Sequence, residues 1–206
     1  MRRLLTTVLF VLTAAGLLVA NFQTTDAARA DVNDFVVESF DAVYELAKDE
    51  EGRSTLKTTE VITIIFPEFD QNRGVIRDVP HVFDDHSTDL NVKSVTDEHG
   101  KPRNYKTEEY GEFLSIIIAV PEGSFVHGKQ TYVLEYTQRD VTKFYKDTGV
   151  EEFYWDVNGT DWAQPFGRIS AKITLSDEVF ATFNGDAVCY RGVFGSDEQC
   201  EVAGET

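Results

Sequence analysis

Leu56-Lys57-Thr58-Thr59-Glu60-Val61-Ile62-Thr63-Ile64-Ile65-Phe66 is rich in Thr, Val and Ile, whose branched side chains suit a pleated, half-buried surface. Period-two geometry puts Leu56, Thr58, Glu60, Ile62, Ile64 and Phe66 on one face. The same rhythm runs outward in both directions. Residues 35–46 alternate loosely and end at the turn-forming Lys48-Asp49-Glu50-Glu51-Gly52-Arg53; residues 90–96 stop at Asp97-Glu98-His99-Gly100-Lys101-Pro102. Residues 103–108, 112–120, 131–139, 152–157, 168–175 and a last short segment, 179–183, read as further strands. Within 166–175, Ile169, Ala171, Ile173 and Leu175 share the face expected to be buried, while 112–120 is apolar on both sides in its second half and should be central. With no long amphipathic helix, the pattern predicts an all-β fold: an antiparallel β-sandwich of immunoglobulin-like architecture with eight or nine strands.

Ahead of that domain stands a cationic start, Met1-Arg2-Arg3, an almost uncharged apolar run over residues 4–20, and a small-residue site, Ala28-Arg29-Ala30. These are the parts of a secretory signal, and residues 1–30 are expected to be removed in export. The apolar run is at the short limit for crossing a bilayer of roughly 30 Å, so an uncleaved anchor is the competing reading. Residues 31–206 then form one extracytoplasmic domain, long enough for a real core. The formal net charge of −17 repels phosphate backbones and anionic head groups, which argues against nucleic acid and direct lipid binding. The two cysteines, Cys189 and Cys200, read as a disulfide in an exported chain. Closing so short a loop contributes on the order of 3 kcal/mol in the chain-entropy model.

Glu60 is the anomaly of the deciding stretch. A carboxylate in a mostly apolar stripe must find a partner or stay protonated. The loop expected over 66–80 offers Arg73 and Arg77, and a bidentate Glu60–Arg pair would hold that loop on the sheet. No second carboxylate or water-activating partner supports a catalytic Glu60. His81, Asp84, Asp85, His86 and Asp89 are the only cluster of metal-ligand types, but they match no standard spacing, and a polar loop in an acidic chain looks the same. Asp156-Val157-Asn158-Gly159-Thr160-Asp161 lacks the glycine and closing glutamate of a calcium loop. Its Asn158-Gly159-Thr160 is also a glycosylation sequon, though Asn-Gly reads better as a turn. The neighbouring segment is dense in aromatics: Trp155 is expected in the core, whereas Tyr154, Trp162 and Phe166 could form a binding platform. Nucleophile elbows, phosphate-cradling glycine loops and free thiols are missing, and His99 and His127 lie in separate turns.

Several segments together carry a resemblance. Phe66-Pro67 with Arg73-Gly74-Val75-Ile76-Arg77-Asp78-Val79-Pro80 resembles the "FP…RGI-R-IP" block of the YciQ-like family of predicted bacterial membrane proteins, a domain of unknown function (2207). Tyr132-Val133-Leu134-Glu135-Tyr136 and Glu152-Phe153-Tyr154-Trp155-Asp156-Val157-Asn158-Gly159-Thr160 look like its central blocks. Trp162, Pro165 and the Cys189…Cys200 pair sit where that pattern continues. The resemblance implies an exported β-sandwich standing outside the membrane, followed in family members by transmembrane helices, and it supplies no reaction. A chain ending at Thr206 would then be a fragment or a short secreted relative, tied to the membrane through an uncleaved signal or a missing C-terminal segment.

The expectation is a non-catalytic module of the cell envelope, without cofactor, that binds a protein or envelope component through edge strands or the 154–166 region. A metal-dependent envelope enzyme using the 81–89 loop and a purely structural spacer are the alternatives.

Overall fold

The computed structural model describes residues 31–204; the signal expected over residues 1–30 lies outside them. The chain is mostly strand: β1 (Val36–Lys48), β2 (Ser54–Phe66), β3 (Gly74–Pro80), β4 (Val82–Phe83), β5 (His86–Ser87), β6 (Asn91–Thr96) and β7 (Tyr105–Tyr110). Then come β8 (Phe113–Ala119), β9 (Gly128–Arg139), β10 (Thr142–Tyr145), β11 (Val150–Phe153), β12 (Ile169–Leu175), a one-turn helix α1 (Asp177–Phe180), β13 (Tyr190–Arg191) and β14 (Glu198–Gln199). A five-stranded sheet has the order β12-β1-β2-β9-β6 and a three-stranded sheet the order β3-β8-β7; the remaining strands form two-stranded ribbons.

The period-two pattern explains which faces are buried. From β2, all of Leu56, Thr58, Glu60, Ile62, Ile64 and Phe66 are buried; from its neighbours come Phe40, Ala42, Tyr44 and Leu46 on β1 and Tyr132, Leu134 and Tyr136 on β9. Val75 and Val79 of β3 and Ile116 and Ile118 of β8 belong to the same hydrophobic cluster, so both sheets turn a face to one core. β8 is the central strand of its sheet, in keeping with its two-sided apolar sequence.

The structure departs from the sequence expectation at four places. The segment 74–80, expected within a loop, is a strand, because Val75, Arg77 and Val79 alternate inward with a charged residue in the middle position. β12 pairs parallel to β1, Phe40 with Ile169 through Leu46 with Leu175, so the sheet is not wholly antiparallel. β12 is also an edge strand without a covering layer: Ile169 and Ile173 are exposed, against the expected buried face. Residues 179–183 are not a strand; Ser176 accepts from the Val179 amide as an N-cap, and Asp177 and Glu178 fill the first turn of α1. Finally, the strand expected over 152–157 ends at Phe153.

Cys189 and Cys200 stand at disulfide distance beside the β13–β14 ribbon, with Cα atoms 5.2 Å apart and the Cys200 amide donating to the Cys189 carbonyl.

Candidate functional site

Arg77 lies on the inward face of β3 and reaches across to β2. Its Nε donates to Glu60 Oε2 at 2.9 Å and its Nη2 to Glu60 Oε1 at 2.8 Å, with both side chains essentially out of solvent. Nη1 donates to the carbonyls of Asp78 (2.9 Å) and Asn158 (3.1 Å), and Nη2 also reaches the Val157 carbonyl at 3.4 Å. The guanidinium stands 5.3 Å from the centre of the Phe40 ring. The Glu60 carboxylate accepts a third bond, at Oε1 from the Tyr136 hydroxyl at 2.8 Å, and the Tyr44 hydroxyl donates to the Val157 carbonyl at 3.2 Å. A buried charge survives only when its donors and acceptors are met, and here the planar fork of the guanidinium meets a carboxylate and three carbonyls. Arg73 takes no part: it is exposed and donates to the Val120 carbonyl at 3.1 Å.

The network ties together the large sheet, the small sheet and the 157–158 turn. The aromatic segment hangs from that turn. Phe153 and Trp155 stack at 5.9 Å, and Tyr44 meets both edge-on at 6.3 Å. The Trp162 indole donates to the Asn158 carbonyl at 2.7 Å and its ring meets Phe166 edge-on; Phe166 in turn packs on Phe40. The Gly159 amide closes the turn on the Asp156 carbonyl. Tyr154 projects outward, 66% exposed, and donates to Asp156.

Between this segment and the small sheet lies a cleft of about 800 Å³. Ile76 and Ile117, paired across β3 and β8, line it together with Phe113; Tyr154, Trp155 and Trp162 form a wall, and Asp78, Asp156 and Asp161 add negative charge. Of the three residues expected in a binding platform, Tyr154 and Trp162 line the cleft, whereas Phe166 faces the core. Ile76, Phe113 and Ile117 were missed because they belong to the outward face of a sheet that the sequence pattern did not resolve.

The structure does not bring the five metal-ligand types together. His81 faces the Gly111 carbonyl, His86 the Asp140 carbonyl, Asp84 pairs with Lys143 and Asp89 with Arg139. Among the described residues no group of three or more His, Cys, Asp or Glu side chains could hold a metal ion.

Burial raises the pKa values of Tyr44 and Tyr136, with the Glu60 charge adding to the effect, and pushes Tyr132 up to about 12. At and below the ordinary tyrosine range all three contribute their full stability as neutral phenols. Above the ordinary tyrosine value of about 10, the unfolded chain sheds protons that the folded chain retains. Stability should therefore fall as pH rises, by up to about 1.4 kcal/mol per pH unit for each tyrosine. Denaturant titrations across alkaline pH, followed by tyrosinate absorbance, should show ionisation of the three coincident with unfolding; ordinary titration in a folded chain would contradict the burial.

The pattern of the family described as "Predicted membrane protein (DUF2207) N-terminal domain" matches residues 36–201. The chain belongs to this family. Membership in DUF2207 places it among predicted membrane proteins of unknown function, and no helix among the described residues is long and apolar enough to cross a membrane. No curated protein matches the chain. Solved structures that overlap it include a substrate-bound mutant of the M1 zinc metallopeptidase of Deinococcus radiodurans, at 10% identity and a TM-score of 0.39, covering 68% of this chain and 32% of that one. Native leukotriene A4 hydrolase of Saccharomyces cerevisiae overlaps at 15% identity and a TM-score of 0.33, covering 55% and 17%. The DUF2207 chain thus spans about a third or less of these enzymes.

Proposed function

We propose that this DUF2207 domain is a non-catalytic, extracytoplasmic binding module of the cell envelope, whose cleft takes an extended segment of a protein or envelope partner. The observation that carries the reading is the cleft itself: apolar Ile76, Phe113 and Ile117 beside an outward-facing Tyr154, held by a wall that Arg77 anchors. Concave apolar surfaces with a few fixed polar groups are where binding sites concentrate. Negative charge at Asp78, Asp156 and Asp161 favours a partner with apolar side chains and basic flanks. The shared core of the two larger sheets supports reading them as the layers of a sandwich. The cationic start and small-residue site of residues 1–30 support export.

Exposed tyrosines of this kind are frequent binding hot spots. Affinity capture from the native envelope should recover a partner with the unaltered domain and on the order of tenfold less with Tyr154→Ala. Equal recovery by both forms, or no partner with either, would remove the binding reading and leave a structural spacer.

A further inference from the structure

Seven arginines lie among the described residues, and five of them hold a carboxylate: Arg53, Arg77, Arg139, Arg168 and Arg191. The two that hold none among the described residues, Arg73 and Arg103, line the same small cavity. In a chain with 36 acidic and 19 basic residues, arginines left without a carboxylate are unexpected, and two at one place more so.

The cavity, about 120 Å³, opens where the ends of the two sheets meet. Arg73 stands just before β3, Asn104 just before β7, Ile118 and Ala119 at the end of β8, and Tyr132 on β9. Tyr132 is 1% exposed and its hydroxyl has no hydrogen-bond partner among the described residues. The Arg103 Nε is likewise buried and unpaired, while its guanidinium lies over the Tyr132 ring at 4.6 Å and its Nη2 donates to Gln130 at 3.3 Å. Arg73 spends one donor on the Val120 carbonyl. Buried donors are rarely left unmet, because an unmade bond forfeits the hydration given up on folding.

What would satisfy this set is an acceptor carrying negative charge. A guanidinium fork matches the two oxygens of a carboxylate, and a neutral phenol adds a third donor. The volume equals that of about four waters, enough for a small group and no more. The remaining wall is apolar, from Ile118, Ala119, Val120, Pro121 and Val126, which suits a short aliphatic tail and offers little to the outer oxygens of a phosphate. We infer that Arg73, Arg103 and Tyr132 form a carboxylate-binding site for a short aliphatic acid group, either a free small acid or the C-terminal end of a peptide. This site shares only Arg73, Ile118 and Ala119 with the larger cleft and does not depend on the cleft's proposed role.

The test is an NMR titration of the chain from residue 31 onward at constant ionic strength, following the arginine side-chain Nε–Hε signals. The probes are butyrate, inorganic phosphate, and a short aliphatic peptide with a free or an amidated C-terminus. Butyrate should move the Arg103 and Arg73 signals saturably in the millimolar range; Arg103→Gln should abolish the response and Tyr132→Phe weaken it about tenfold. Tyr132→Phe removes a single oxygen, so it carries the comparison if Arg103→Gln does not fold. A free-ended peptide binding more tightly than its amide and than butyrate would support the site and assign it to chain termini; equal binding of butyrate and free-ended peptide would support it as a site for small acids. Shifts without saturation, phosphate binding as well as butyrate, or unchanged affinity in Tyr132→Phe would overturn it.

Discussion

Replacing Glu60 by alanine should cost about 3–5 kcal/mol of stability, because the Arg77 guanidinium would be left buried without its counter-charge. Tyr136 would lose its acceptor in the same step. Arg77→Met should be similarly damaging, since it strands the Glu60 carboxylate and frees the Val157 and Asn158 carbonyls. The two changes should not add. A Glu60→Leu, Arg77→Met double variant removes both charges, replaces them with apolar volume and should be more stable than either single charge deletion. Denaturant unfolding of the unaltered protein, Glu60→Leu, Arg77→Met and their double variant measures the coupling directly; simple additivity would mean that the two groups do not depend on each other.

Gly74→Ala should be at least as severe, for a steric reason. Gly74 sits at φ +148°, and a Cβ built on it would lie 1.9 Å from the Ile118 carbonyl oxygen, on the backbone of the neighbouring strand. A backbone atom cannot swing aside as a side-chain tip can, so β3 must lift from β8 at its first residue pair, Gly74 with Ala119. That would also disturb Arg73, Ile118 and Ala119, which line the small cavity. The expected result is a loss of more than about 4 kcal/mol or failure to recover folded protein. A Gly74→Ala protein with wild-type thermal stability would show that β3 and β8 are not so close.

Much of this was legible in the sequence. The alternation of β2 identifies a buried stripe, and a glutamate in the middle of it demands a partner. Choosing between Arg73 and Arg77 needed the register of β3, which was hidden because the inward residues Val75, Arg77 and Val79 include a charge and so do not read as an apolar strand. The two arginines, four residues apart, have different partners: one closes the core, the other faces a cavity at its rim. Periodicity was misleading for β12 for the opposite reason. It says which residues share a face, not whether another layer covers that face, and a three-stranded sheet is too narrow to cover five strands. Ile169 and Ile173 are left in solvent as a result. At α1 the signal was present in Ser176 followed by Asp177 and Glu178, a cap and an acidic first turn, but the helix is a single turn and its apolar residues also fit a short strand. For the 81–89 loop, spacing alone could not show that Asp84 and Asp89 are drawn to Lys143 and Arg139, on segments far along the chain.

The cleft, the aromatic wall and its anchoring all depend on Arg77 holding the turn at Val157 and Asn158. Amide hydrogen exchange in the Glu60→Leu, Arg77→Met double variant isolates that dependence, because the core is expected to survive. The Gly159 amide, which closes the turn on the Asp156 carbonyl, should lose protection while β1, β2 and β9 keep theirs; Gly159 protection unchanged from the unaltered protein would contradict the account.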